Sequence, residues 1–135
     1  MNWKLIFLLS LFGLAMGIAT VFVIPSKIEP IFWLAIFVIC AWILGRSTAK
    51  PFLNGLLLGI VNSIWITGCH ILLFSTYIST HAQEAAMMRS MPASITPRTM
   101  MAITGPIVGV ISGVIIGVLA FIVARILRRP AAATT

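Results

Sequence analysis

Long apolar runs alternate with short polar breaks along this chain, and four of the runs approach the length of a membrane helix. They cover residues 5–24, 31–44, 52–74 and 100–124. The first run holds twenty residues, and at about 1.5 Å per residue it spans about 30 Å, the thickness of one hydrocarbon core. The pattern predicts an all-α fold, an integral membrane four-helix bundle.

The first run also has features of a cleavable signal peptide. Lys4 precedes it, and the small residues of the stretch AMGIAT offer a cleavage position. Its twenty apolar residues exceed the usual length of a signal-peptide core. A retained membrane span is therefore the favoured interpretation.

The second run is short for a span, since its fourteen residues reach only about 21 Å. A re-entrant segment also suits that length, but it would put the arginines of residues 125–129 outside. Four crossings with a cytoplasmic N-terminus instead place six Lys and Arg residues inside and three outside, in agreement with the positive-inside rule. We expect a single four-span domain over residues 1–129, both termini cytoplasmic, and a disordered tail over residues 130–135.

The segment between the third and fourth runs is the one sizeable polar stretch of the sequence. Thr80 and Gln83 have the spacing of a capping box, which predicts a short interfacial helix on the outer surface. Thr96 followed by Pro97 predicts the start of the last span, because Thr96 can accept an amide hydrogen bond and proline needs none.

Small residues recur at four-residue spacing in three of the predicted spans, and the first span contributes Gly13 and Gly17. One set lies in the fourth run and a matching set in the third: Gly105, Gly109, Gly113, Gly117 and Gly55, Gly59, Ser63, Thr67. Residues four apart share a helix face, and such stripes let membrane helices pack closely. We interpret them as a helix-packing seam, with a homo-oligomer interface and a pore lining as alternatives.

Polar residues in the third span are a second feature. Asn62, Thr67 and His70 lie within the predicted membrane helix, where polar groups must find partners inside the bundle. They suit a polar intramembrane site for a proton, an ion or a small polar solute. The alternative is a set of interhelical hydrogen bonds, worth about 0.6 kcal/mol each. The centres of the predicted spans hold no acidic or basic residue, which argues against ion-coupled transport.

Composition narrows the class of protein. Hydrophobic residues make up 61% of the 135 residues and charged residues 8%, against about 25% charged in a typical soluble domain. The net charge of +7 comes from basic residues near the ends of apolar runs, so nucleic acid is excluded as a partner. The expected partners are the lipid bilayer and either a second copy of the chain or another membrane protein.

Motifs for enzyme chemistry are missing from the sequence, which has no paired carboxylates, HExxH, phosphate-binding glycine loop or GxSxG turn. We therefore predict a non-enzymatic protein with no catalytic residues and no cofactor.

Soft metal ligands occur in the outer segment, where His81, Met87, Met88 and Met91 suit Cu(I). Their spacing matches no strong metal signature, and methionine also suits a helix that dips into lipid.

Three stretches carry a resemblance to a known group of proteins: FLNGLLLGIVNSIWITGCH, QEAAMMRSMP and TPRTMMAITGPIVGVISGVIIG. Over residues 50–125 the chain resembles small bacterial multi-pass membrane proteins that have no established activity. The resemblance implies a bacterial inner membrane and carries no functional residues with it.

Three functional hypotheses follow from the sequence. The first is a membrane scaffold or assembly partner that acts through its small-residue seams. The second is a small channel or facilitator that uses the polar face of Asn62 and His70. The third is a copper site in the outer segment.

Overall fold

The computed structural model describes residues 1–92 and 94–127, and these form six α-helices. In chain order the helices are α1 (Trp3–Phe22), α2 (Glu29–Ser47), α3 (Pro51–Leu72), α4 (Phe74–Thr80), α5 (Ala82–Arg89) and α6 (Pro97–Leu127). The tail predicted over residues 130–135 lies outside the described residues.

Four helices, α1, α2, α3 and α6, are long and apolar enough to cross a membrane. This confirms the predicted all-α fold with four spans, and the chain is that of a multi-pass membrane protein. The short second run becomes α2, whose 19 residues reach about 28 Å. The helix is longer than the apolar run because Pro30 suits its first turn and because it continues past Arg46, whose long side chain can reach the membrane surface.

Helix α3 occupies the middle of the bundle. It packs along α6 and along α1, while α2 packs mainly along α6. All four long helices contribute to one core of buried side chains: Leu9, Met16, Ile36, Cys40, Ala41, Leu44, Leu58, Ile116 and Ala120. We call the end of the bundle that carries α4 and α5 the loop end, and the opposite end, which carries Asn2 and Leu127, the terminal end.

The contact between α3 and α6 is made by backbone against backbone in the terminal half of the bundle. A Cβ atom added to Gly55 would lie 2.6 Å from Cα of Gly117. A Cβ atom added to Gly59 would overlap the backbone of Gly113. Because a backbone cannot move aside as a side chain can, both helices need glycine at these positions.

Nearer the loop end, hydroxyl side chains stand between the same two helices. Gly109 lies against Oγ of Ser63, and Gly105 lies against Oγ1 of Thr67. The two stripes of small residues thus run antiparallel and face each other within one chain. We refer to this contact as the α3–α6 seam.

Close approach also governs how the outer pair of helices packs. A Cβ atom on Gly17 of α1 would lie 3.2 Å from Cα of Ile66 on α3. A Cβ atom on Gly45 of α2 would lie 2.7 Å from the carbonyl oxygen of Ala120 on α6. Each outer helix therefore packs against a central helix through a glycine.

The short helix predicted between the third and fourth spans is confirmed as α5, and a second short helix, α4, precedes it. Thr80 does not cap α5, because it is the last residue of α4. Its hydroxyl lies 3.0 Å from the carbonyl oxygen of Val21 on α1, to which it can donate. His81 takes the N-cap position instead, without a side-chain cap. The predicted start of α6 is confirmed, since Oγ1 of Thr96 accepts a hydrogen bond from the backbone N–H of Thr99 (3.2 Å).

Replacing a seam glycine tests how far the bundle depends on this contact. We expect Gly59→Ala to lower the free energy of unfolding by about 1–3 kcal/mol, because the added methyl group forces α3 away from α6. Thermal unfolding in detergent, followed by circular dichroism, measures the change. Gly68→Ala on the same helix is the matched control, since nothing lies within 4 Å of its added Cβ. Equal melting temperatures for the two variants would contradict the prediction.

Candidate functional site: two cavities beside the α3–α6 seam

Two neighbouring cavities lie beside the seam, toward the loop end. The larger, which we call the outer cavity, has a volume of about 260 Å³. Its polar lining residues are Ser63, Thr67, His70, Tyr77 and Thr104. The outer cavity thus brings together two of the three residues of the predicted polar site, Thr67 and His70.

The smaller cavity, which we call the Asn62 cavity, has a volume of about 140 Å³. The residues of interest in its lining are Glu29, Trp33, Phe37, Asn62, Ser63 and Ser112. At roughly 30 Å³ of liquid volume per water molecule, it has room for about four waters or one small solute. Ser63 lines both cavities, so the two are neighbours across one seam residue.

A stack of three rings lies beside the outer cavity at the loop end. Tyr77 lies between His70 and His81, with ring centroids 4.2 Å and 4.3 Å away. Tyr77 is only 8% exposed, so it packs inside the bundle. Burial, together with the carboxylates of Glu84 and Glu29, raises the pKa of the Tyr77 phenol. The phenol therefore stays protonated and can donate a hydrogen bond at neutral pH.

His70 is held in place from α1. Its Nε2 lies 2.9 Å from Oγ1 of Thr20, and the Thr20 hydroxyl donates to the carbonyl oxygen of Met16 (2.8 Å). Because a hydroxyl has a single proton, Nε2 of neutral His70 is the donor toward Thr20. That tautomer leaves Nδ1 of His70 as a hydrogen-bond acceptor on a ring that lines the outer cavity.

Two further groups at the loop end are buried without a complete set of partners. Nδ1 of His81 donates to the carbonyl oxygen of Tyr77 (3.0 Å), and Oε1 of Glu84 accepts from the Ser26 hydroxyl (2.7 Å). In the described part of the chain, Nε2 of His81 and Oε2 of Glu84 have no hydrogen-bond partner. His81 lines a small cavity of about 70 Å³, which has room for about two waters.

Asn62 is the least satisfied polar residue inside the bundle. It is 3% exposed, and neither Oδ1 nor Nδ2 has a hydrogen-bond partner among the described residues. Helix α1 passes close to it, since a Cβ atom on Gly13 would lie 2.5 Å from its Oδ1. A buried polar group without a partner costs about 1–3 kcal/mol. The amide therefore has a strong preference for a partner. Asn62 is among the residues that line the smaller cavity, although both amide atoms are enclosed and Oδ1 lies against Gly13 on α1.

Glu29 is the lining residue that sequence reasoning missed. It is the first residue of α2, and its Oε1 accepts a hydrogen bond from Nε1 of Trp33 one turn later (3.0 Å). Both side chains line the Asn62 cavity. The sequence did offer one sign of its importance, since Glu29 is one of only two acidic side chains in the 135 residues. Its position at a helix boundary concealed its closeness to Asn62.

The candidate soft-metal ligands differ widely in exposure. His81 is buried, Met88 lines the outer cavity, Met91 is half-buried and Met87 is 63% exposed. Across residues 1–92 and 94–127, no group of three or more His, Cys, Asp or Glu side chains is placed to hold a metal ion.

Three comparisons with known proteins transfer no role to this chain. No protein-family model, no curated protein and no solved structure matches the chain. The resemblance over residues 50–125 therefore remains a prediction from the sequence.

Asn62→Leu and Asn54→Leu form a matched pair that tests whether Asn62 stabilises the fold. Asn54 is 1% exposed; its Oδ1 accepts from the backbone N–H of Asn2 (3.0 Å) and its Nδ2 donates to the carbonyl oxygen of Lys50 (2.7 Å). We expect Asn54→Leu to cost about 1 kcal/mol of unfolding free energy or more, and Asn62→Leu to cost nothing or to stabilise by about 1 kcal/mol. Thermal unfolding in detergent measures both. Equal destabilisation of the two variants would give Asn62 a structural role.

Proposed function

We propose that the protein is a small, non-enzymatic facilitator that binds a small polar solute in the Asn62 cavity. The observation that carries the proposal is the Asn62 amide, which is 3% exposed and unpartnered within the described residues, beside a cavity of about 140 Å³. In a chain surrounded by lipid, a buried amide has few sources of hydrogen bonds. A bound solute supplies them.

The seam determines how far a solute entering from the loop end can travel. The backbone contacts of Gly59 with Gly113 and of Gly55 with Gly117 lie on the terminal side of Asn62. A solute bound at Asn62 therefore stops at these contacts. Release toward the terminal end requires α3 and α6 to separate there, which makes the seam the gate of the proposed facilitator.

The charge distribution gives the proposed facilitator a direction. The positive-inside rule favours a cytoplasmic terminal end, where Arg46 and Arg125 lie near the ends of α2 and α6. We infer that both termini are cytoplasmic, that the membrane is a bacterial inner membrane and that the loop end faces outward. The Asn62 cavity then receives its solute from the outer side.

The other two hypotheses have less support. A scaffold that recruits a second copy or another membrane protein through its seams needs free small-residue stripes, and those of α3 and α6 face each other within the chain. A copper site needs soft ligands that converge, but Met87 is largely exposed while His81 is buried. The facilitator proposal uses a cavity and an unpartnered group that lie together.

Chemical labelling tests whether solutes reach the cavity. Ser112 lines the Asn62 cavity, so we introduce Ser112→Cys into a Cys69→Ala background and add a small water-soluble methanethiosulfonate to intact vesicles. We expect the thiol at position 112 to react. Cys40, which is 0% exposed in the core, stays in the protein as an internal control and is expected not to react. A thiol at position 112 as inert as Cys40 would show that the cavity is closed to solutes.

Solute flux tests transport itself. Purified protein in liposomes is exposed to small alcohols, amides and amines, and swelling is followed by light scattering. We expect at least one class of solute to enter faster than into empty liposomes, and Asn62→Leu to remove that difference because the binding amide is lost. Gly68→Ala, which meets open space, should keep the wild-type rate. Equal rates for the wild type, Asn62→Leu and empty liposomes would contradict the proposal.

A further inference from the structure

We propose that the Asn62 cavity selects a small organic ammonium ion, with Glu29 as its counter-charge and the Asn62 amide as its hydrogen-bonding partner. This inference rests on the proposed function, because it names the class of solute for the same cavity. It follows from the charge, the aromatic surfaces and the unpartnered amide that the cavity brings together.

Glu29 gives the cavity a negative charge that nothing in its lining neutralises. The residues that line it, within the part of the chain that the structure describes, include no Lys, Arg or His. Coulomb interactions strengthen as the local dielectric falls, so a carboxylate beside a largely apolar cavity attracts a cation and repels an anion. The chain as a whole carries a net charge of +7, which makes a negatively charged lining a local exception.

Trp33 orients the Glu29 carboxylate without cancelling its charge. The indole Nε1–H donates to Oε1 of Glu29 (3.0 Å). An ionised carboxylate offers about four lone-pair sites on two oxygens, and an indole is a neutral donor. The carboxylate therefore keeps both its charge and its capacity to accept further hydrogen bonds from a cationic solute.

Aromatic and aliphatic walls favour an organic cation over a metal ion. Trp33 and Phe37 both line the cavity, with ring centroids 6.0 Å apart and planes tilted by 52°. Aromatic faces attract ammonium groups within about 6 Å. Hard metal cations instead require six or more oxygen ligands or a retained water shell. Ile66 and Val108 complete an apolar surface that suits carbon-bearing substituents.

Asn62 adds a requirement for a second polar group on the solute. When the amide turns from Gly13 on α1 toward the cavity, its Oδ1 can accept from an ammonium N–H and its Nδ2 can donate to an acceptor, because both atoms are unpartnered in the described residues. An ammonium ion that also carries a hydroxyl or carbonyl oxygen satisfies both ends of the amide. Ethanolamine is the simplest probe of this kind, and ethylene glycol is its uncharged analogue.

The charge of the cavity is measured with a pair of thiol reagents of similar size and opposite charge. In the Ser112→Cys, Cys69→Ala protein, we expect the rate ratio of the trimethylammonium to the sulfonate methanethiosulfonate to exceed the ratio for a free thiol in solution by about tenfold or more. The ratio of the two rates cancels any change in the reactivity of the thiol. We expect Glu29→Gln to return the ratio to that of the free thiol. Glu84→Gln removes the same charge from outside this lining and should leave the ratio intact.

Protection of the same thiol identifies the ligand chemistry and its source. Ethanolamine should slow labelling of the thiol at position 112 in a sugar-headgroup detergent, whereas ethylene glycol should not. The protein is then placed in nanodiscs of phosphatidylethanolamine or phosphatidylglycerol. Protection by phosphatidylethanolamine alone, without added amine, assigns the ammonium group to a lipid headgroup. Protection by free ethanolamine in both nanodiscs assigns it to a soluble amine.

The outcomes separate this inference from the proposed function. If the thiol reacts but the rate ratio equals that of a free thiol, or if the excess over the free-thiol ratio survives Glu29→Gln, the ammonium proposal is overturned and a solute-accessible cavity remains. Equal protection by ethanolamine and ethylene glycol, or protection by neither, also overturns the ammonium proposal. If neither reagent reacts at all, the cavity is closed, and the proposed function falls together with the inference.

Discussion

The backbone contact between α3 and α6 is the constraint on which the rest of this bundle depends. In lipid, the hydrophobic effect gives helices little reason to associate, so close van der Waals packing has to hold them together. Gly55 against Gly117 and Gly59 against Gly113 bring two backbones within reach of each other. Helix α1 then packs on α3 and α2 packs mainly on α6, so both outer helices take their positions from the central pair.

The same seam also determines where space remains inside the protein. Its pairs change from glycine against glycine in the terminal half to glycine against Ser63 and Thr67 toward the loop end. A hydroxyl side chain between two helices holds them farther apart than bare backbones do. Both cavities beside the seam have Ser63 in their lining. Along this seam, tight closure at one end and open space at the other are therefore two consequences of one graded stripe of residues.

The sequence predicted the fold better than the surroundings of the site. Apolar run lengths and charge placement were enough for four spans, because the bilayer imposes both. The capping box at Thr80 was wrong because a separate short helix, α4, ends at that residue and the N-cap position of α5 falls on His81, a break that local spacing cannot reveal. The sequence likewise could not place Glu29 in the cavity lining. That position depends on the packing of α2 against α6, which brings Glu29 to the cavity that Asn62 of α3 also lines. Patterns within one helix report its buried face, whereas a cavity depends on three helices at once.

Buried polar side chains in this protein differ sharply in how many hydrogen bonds they make. The contrast favours a binding role for the half of the bundle toward the loop end. Asn54, Ser10 and Thr20 all find partners through local carbonyls or neighbouring helices. The buried polar side-chain atoms that lack partners in the described residues belong to Asn62, His81 and Glu84. A bundle selected for stability alone gains by replacing such groups with apolar ones, since lipid supplies no compensating hydrogen bonds. Retaining an unpaired amide next to a cavity and a carboxylate makes sense when the missing partner is a molecule that binds and leaves.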